Sequence, residues 1–273
     1  MFQTTKPTST WALFFNFLGV TYHASVRRVR QTHGNAMVAI GLSIMQSLLF
    51  VAAFYFMFNL LGTRTMAIRG DFMLYLLTGI FLYLSHIQAV TAIMRTDGPT
   101  SSMMQHAPMN TLVSILSAAL STLYVKTISL LVILFCLHTL VSPIELHDWA
   151  GAFMMFLLAW GSGCAVGLIL LALKPWAPDV VAILQLVYVR ANMIASGKMF
   201  VANMMPSFMV SMFDWNPLFH IIDQARGFTF VNYFPHYTNW QYPLYATLVL
   251  ILLGTLGDFY TRKHASVSWD AKR

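Results

Sequence analysis

The sequence is poor in charged residues, and in acids above all. Only 9% of its 273 residues are charged, against roughly 25% in an ordinary soluble domain. Nine acids face sixteen Lys and Arg residues, and Glu145 is the single glutamate. A soluble protein covers its surface with charged side chains, so this composition argues against a soluble domain. With so few carboxylates, the chain also has few groups that could act as general acids or bases or carry protons during transport.

Cysteine is equally scarce, and motifs that bind metals or nucleotides are missing. Cys136 and Cys164 lie in apolar segments without C-x-x-C spacing, so we predict neither a disulfide framework nor a zinc site. The nine histidines form no H-E-x-x-H motif. The stretch around Lys198 fails the phosphate-binding loop pattern, because Asn192 replaces its first Gly and Met199 its Ser or Thr. We therefore expect no catalytic residue, no metal site and no cofactor bound by this chain.

What the sequence does have is long apolar runs. A helix needs about 20 apolar residues to cross a bilayer. The runs predict an all-α membrane protein with six transmembrane helices, at about 36–61, 72–94, 112–140, 149–173, 180–200 and 242–260. Most Lys and Arg residues fall in loops on one side of these spans, which places both termini in the cytoplasm. The net charge is +7, but the basic clusters flank apolar segments. We therefore expect them to contact the anionic headgroups of the membrane and not nucleic acid.

The region before the first span predicts an amphipathic helix. We divide the chain into a cytoplasmic tail and interface helix at 1–35 and a transmembrane domain at 36–273. Between Trp11 and Arg30, apolar side chains recur at helical spacing on one side, while basic and polar side chains occupy the other. Such a helix lies in the membrane interface.

The segment at about 201–241 precedes the last span and is too apolar for a free loop. Pro206 and Pro217 divide it into pieces that are too short to cross the membrane. The pieces fit either re-entrant helices or a folded external cap. We favour re-entrant helices, because Asn216 and Pro217 together suit the start of a helix.

Two cations are predicted near the middle of spans, Lys126 in the third and Arg190 in the fifth. Charge at that depth is costly unless it faces a partner or a wet cavity. The two side chains either line a path for an anionic substrate or snorkel and bind backbone carbonyls. A G-x-x-x-G pattern at Gly163 and Gly167 predicts close helix packing, within the chain or between two copies.

Aromatic residues crowd the segment before the last span. They suit either stacking on sugar rings or anchoring at the membrane surface. They are Trp215, Phe219, Phe228, Phe230, Tyr233 and Phe234.

The order of these elements resembles the permease subunit of an ABC-2 type exporter. Two stretches carry the likeness, Trp215-Asn216-Pro217-Leu218-Phe219-His220-Ile221-Ile222-Asp223-Gln224-Ala225-Arg226-Gly227 and Ala195-Ser196-Gly197-Lys198-Met199-Phe200. They are similar to the capsular polysaccharide export permeases and their O-antigen and teichoic acid relatives. The acid that this family commonly carries before its first span is absent here, although Arg27, Arg28 and Arg30 keep the basic cluster.

The resemblance implies a homodimer in the bacterial inner membrane that binds two copies of an ABC ATPase. ATP and Mg would be held by that partner, and this chain would move a lipid-linked glycan without covalent chemistry. A periplasmic co-polymerase or export protein is a further expected partner. An ABC-2 exporter of a drug or lipid would have the same architecture, and a membrane-embedded acyltransferase is a third alternative.

The resemblance also assigns roles to residues. The expected contacts with the ATPase are Gly98, Pro99, Ser101, Met103, Met104 and Pro108, together with Arg27, Arg28 and Arg30. The expected substrate path is lined by Lys126, Arg190, Trp215, Asn216, Phe219, His220, Asp223 and Arg226.

Overall fold

The computed structural model describes residues 10–33, 35–60, 71–96, 111–140 and 143–264, and these parts of the chain fold into helices without a strand. The helices are α1 (Thr10–His33), α2 (Ala36–Leu60), α3 (Phe72–Met94), α4 (Thr111–Leu140), α5 (Trp149–Leu173), α6 (Pro178–Ala195), α7 (Ser207–Phe213), α8 (Pro217–Thr229) and α9 (Gln241–His264).

Six of these helices are long and apolar enough to cross a bilayer, namely α2, α3, α4, α5, α6 and α9. They confirm the predicted fold class, and the protein is a multi-pass membrane protein. One boundary differs from the prediction, because α6 ends at Ala195 and not near Phe200. Gly197 adopts a φ of +68° there, a left-handed conformation that suits glycine and turns the backbone away from the helix axis.

Two of the scarce acids serve as helix caps. The carboxylate of Asp71 accepts hydrogen bonds from the amides of Met73 and Leu74 at the start of α3. Asp148 does the same for the first amides of α5. Such caps satisfy amides that have no partner within the helix, and a carboxylate also suits the positive end of the helix dipole.

Helix α3 lies at the centre of the bundle and is buried over most of its length. It packs against α2, α4, α5 and α8. Gly163 and Gly167 of α5 allow the two helices to approach, since a Cβ at Gly163 would overlap the carbonyl of His86 and a Cβ at Gly167 would lie 2.9 Å from Ile93. The small-residue pattern therefore serves packing within the chain.

Helix α1 packs along α4 and against α2. Thr21 and Val29 are buried in these contacts, while Trp11, Phe15 and Tyr22 stay exposed. Exposed aromatic side chains along one helix are typical of a helix that rests on a membrane. The predicted amphipathic helix is thus present as α1.

Between α6 and α9 the chain forms a 3₁₀ turn at Ala202–Met204 and the short helices α7 and α8. Asn216 caps α8 by accepting a hydrogen bond from the amide of Leu218, and Pro217 occupies its first turn, as the sequence predicted. Helix α8 packs against α3, α5 and α9. Short helices before the last span are confirmed, and α8 belongs to the interior of the bundle.

Candidate functional site

Among the described residues, three cationic side chains reach the interior, and each lies over an aromatic ring of α3. They are Lys126 with its Nζ 5.2 Å from the ring centroid of Phe81, Lys198 with its Nζ 3.9 Å from that of Tyr83, and Arg226 with its Cζ 4.4 Å from that of Tyr75. All three are fully buried, and we call them the buried cations. In the described part of the chain, Arg262 forms an ion pair with Asp258, and Nε2 of His220 lies 3.0 Å from the carboxylate of Asp214, so neither contact includes a buried cation.

Lys126 occupies the middle of α4. Its side chain is enclosed by protein, as expected for a charge at that depth. Within the described part of the chain, Nζ has no hydrogen-bond partner. The ammonium group is therefore held by packing and by the face of the Phe81 ring.

Lys198 follows the turn at Gly197. Its Nζ also lies 5.3 Å from the ring of Phe54 and 5.6 Å from that of Phe50, both on α2. Burial lowers the pKa of Lys198 to about 8, so the side chain stays mostly protonated at neutral pH. The sequence placed Lys198 in a failed nucleotide motif and in a stretch that resembles the exporter permeases, but not among the residues of the substrate path. Its aromatic surroundings come from the distant helices α2 and α3.

Arg226 holds the turn that carries Lys198. Its guanidinium donates hydrogen bonds to the carbonyls of Gly197 at 3.1 Å and Lys198 at 2.6 Å, and a third to that of Phe200. Gly79 of α3 makes room for this arrangement, since a Cβ there would lie 2.8 Å from Nη2 of Arg226. Arg226 thus connects α8 to the end of α6 and to α3.

Asn216 and His220 bind protein groups near the same turn. Nδ2 of Asn216 donates to the carbonyl of Ala195 at 2.9 Å and to Oδ1 of Asn192 at 3.0 Å. His220 accepts a hydrogen bond at Nδ1 from the amide of Asn239, which leaves the proton on Nε2 facing Asp214. Both side chains are nearly fully buried, and their place on a substrate path remains a prediction.

Asp223 anchors the loop after α8. Its carboxylate accepts hydrogen bonds from the hydroxyl of Tyr233 at 2.5 Å and from that of Thr238 at 2.7 Å. Burial, and then the Asp223 carboxylate, raise the pKa of Tyr233 above its usual range. His220 and Asp223 therefore have separate partners in the fold.

The aromatic residues of this region differ in exposure, and Phe228 is half-buried. Trp215 and Phe234 are 69% and 68% exposed, so their rings can meet a ligand or a membrane from outside. Phe219, Phe230 and Tyr233 are buried in the fold. A sugar-stacking surface would thus have fewer rings than the sequence suggested.

Arg190 differs from its predicted position. It lies five residues before the end of α6 at Ala195, not in the middle of the span, and its side chain is exposed. The error follows from the predicted span, which was drawn too long beyond Ala195.

Of the predicted ATPase contacts, Arg27 and Arg30 are exposed on α1, and Arg28 donates a hydrogen bond to Ser114 of α4 at 3.3 Å. The remaining ones lie outside the described residues, namely Gly98, Pro99, Ser101, Met103, Met104 and Pro108.

One buried polar cluster was missed by the sequence analysis. Nδ1 of His86 lies 2.9 Å from Oγ of Ser162, and Nε2 lies 2.8 Å from the hydroxyl of Tyr188. The cluster joins α3, α5 and α6. His86 and Ser162 are almost fully buried, so the cluster serves the packing of three helices and does not form an accessible nucleophilic site.

No protein-family model matches the chain, and no curated protein matches it at a significant level.

Proposed function

We propose that this chain is the permease subunit of an ATP-driven ABC-2 type exporter that moves an anionic, lipid-linked glycan across the bacterial inner membrane. The buried cations carry the proposal. A charge inside a membrane domain costs roughly 2.5–3.5 kcal/mol on insertion scales. Apolar residues of similar size would pack there at lower cost. Lys126 and Lys198, without a hydrogen-bond partner for Nζ among the described residues, favour a role in contacting an anionic group in transit.

The architecture supports the same class. An amphipathic α1 precedes six apolar helices, and short helices precede the last of them. In this proposal both termini are cytoplasmic, and a separate ATPase binds near the exposed Arg27 and Arg30 and at residues 98–108. ATP-driven closure of two ATPase subunits would move α3 against its neighbours and open the cationic interior to the substrate.

The surface of α6 supports a homodimer. Among its residues only Val181 and Asn192 are buried, while Ile183 and Val187 are exposed. A second copy packed against α6 would cover this apolar surface. It would also enclose Arg190, whose exposed guanidinium would otherwise meet lipid near the end of the span.

The test compares three substitutions in export assays with the ATPase partner present, scaled to the amount of folded complex. We expect Lys126→Met and Lys198→Met each to lower export at least about tenfold, because each removes a cation that meets the substrate. Lys263→Met, at an exposed site near the end of α9, serves as the control. Full export by both interior variants would refute the charged path.

A second experiment distinguishes glycan from drug or lipid as cargo. Cells depleted of the chain should accumulate lipid-linked glycan at the inner face of the membrane. Normal surface glycan after depletion, with altered drug or lipid efflux, would favour the alternative substrates.

A further inference from the structure

A polar cavity of about 560 Å³ opens between α1, α2, α3 and α4. It lies beside the end of α3 and the first half of α4, and its lining includes Val125, the residue before Lys126. Eight of its fourteen lining residues are polar, and none of the fourteen is an acid. By contrast, a second cavity of about 420 Å³ between α3, α4, α5 and α8 is lined mainly by Leu and Phe side chains. Of these two cavities, the first therefore suits a polar ligand.

Two arginine side chains give this cavity its positive charge. Arg95, the residue that ends α3, is exposed there, and Arg28 of α1 contributes to the wall. Guanidinium groups bind phosphate through paired, charge-assisted hydrogen bonds. Basic pockets between membrane helices bind phospholipid headgroups for the same reason.

Deeper in the cavity the lining offers neutral hydrogen-bonding groups. Ser43 is 6% exposed, and its Oγ has no hydrogen-bond partner among the described residues. A buried hydroxyl without a partner is costly, and because Ser43 lines the cavity, a ligand that accepted its hydrogen bond would remove this cost. Gln88 donates a hydrogen bond of 2.6 Å to Gln46, and this bond uses only part of the capacity of the two amides.

We propose that this cavity binds the phosphate-bearing polyol headgroup of a membrane lipid. The phosphate would meet Arg95 and Arg28, and the hydroxyl groups of the headgroup would meet Ser43 and the two glutamines. A lipid fits better than a soluble anion, because the cavity extends along spanning helices and its wall includes the apolar side chains of Leu42 and Ile87. The inference goes beyond the proposed export function and does not depend on it.

The test measures binding to the purified full chain in detergent by calorimetry. The probes are dioctanoylphosphatidylglycerol, the uncharged dioctanoylglycerol, and inorganic phosphate. We expect only the phospholipid to bind well. Arg95→Gln should weaken its binding about tenfold or more, as expected for a lost charge-assisted bond. Lys263→Gln removes the same charge at the same end of the bundle and should change the affinity less than about twofold.

Ser43→Ala separates binding from folding. Loss of an unpartnered hydroxyl should leave the melting temperature of the ligand-free chain equal or higher, while the affinity falls about threefold to tenfold. A lower melting temperature with unchanged affinity would show that Ser43 has a structural role, and would overturn its part in the site.

Three further outcomes would overturn the proposal. Equal affinities for Arg95→Gln and Lys263→Gln would remove the site from this cavity. Equal binding of dioctanoylglycerol would show that the phosphate is not recognised. Inorganic phosphate that binds as tightly as the lipid and displaces it would assign the cavity to a soluble anion.

Discussion

Replacing Lys126 with Met should stabilise the isolated chain while it impairs export. Met has a similar length and volume, so the packing in the middle of α4 is kept. What is lost is a positive charge that is fully buried and whose Nζ has no hydrogen-bond partner among the described residues. The substitution thus separates the cost of the charge from the cost of an empty space.

The size of the effect follows from two opposing terms. A cation at the middle of a membrane helix costs roughly 2.5–3.5 kcal/mol. The face of the Phe81 ring, 5.2 Å from Nζ, offsets about 0.5–2 kcal/mol of this. The variant should therefore gain about 0.5–3 kcal/mol, and for a chain of this size that raises the melting temperature by roughly 1–12 °C.

Thermal unfolding in detergent, followed by intrinsic fluorescence, measures this gain. Lys263→Met on the exposed end of α9 is the matched control and should shift the melting temperature by less than about 1 °C. A fall of several degrees for Lys126→Met would refute the reasoning, because it would show that the ammonium group stabilises the fold.

Four other outcomes are expected. Burial lowers the pKa of Lys198 from 10.5 to about 8. Between these two pH values the ammonium group is protonated mainly in the unfolded chain, so the stability of the folded chain to heat should rise with pH across this window. Lys198→Met should remove this rise. Gly163→Ala should lower the melting temperature by several degrees, because its Cβ would overlap a carbonyl of α3, whereas Gly161→Ala, with open space around it, should not. The purified chain alone should hydrolyse no ATP, and hydrolysis should appear with the ATPase partner; hydrolysis by the lone chain would contradict the proposed class. The double substitution Met103→Asp and Met104→Asp should release or uncouple the ATPase while the chain stays in the membrane. A complex that still assembles and exports normally would place the coupling site elsewhere.

Apolar length alone was enough to predict the six spans, because crossing a bilayer imposes that length on each helix. It was not enough for the end of α6. Met199 and Phe200 continue the apolar run, yet the helix stops at Ala195 because Gly197 turns the backbone and Arg226 binds the carbonyls that follow. A contact between residues about thirty positions apart leaves no local pattern in the sequence.

The buried cations show the same limit. Lys126 could be found because it lies in the middle of an apolar run, where a charge is conspicuous. Lys198 lies at the edge of such a run, and its enclosure depends on rings of α2 and α3 that no spacing rule connects to it. His220 and Asp223 lie three positions apart on α8, but each side chain binds a different part of the loop that precedes α9.

The buried cations come from three separate segments and converge on one helix. Their ring partners lie between Tyr75 and Tyr83 of α3, eight residues that span about 12 Å along the helix axis. An anionic chain moving along α3 would therefore meet positive charge at successive depths. The C-terminal end of α3 precedes residues 98–108 in the chain, where the proposed ATPase would bind. Because packed helices move as rigid bodies, a displacement at that end would change all three ring–cation distances together. This arrangement would couple the ATPase to the substrate path through one helix.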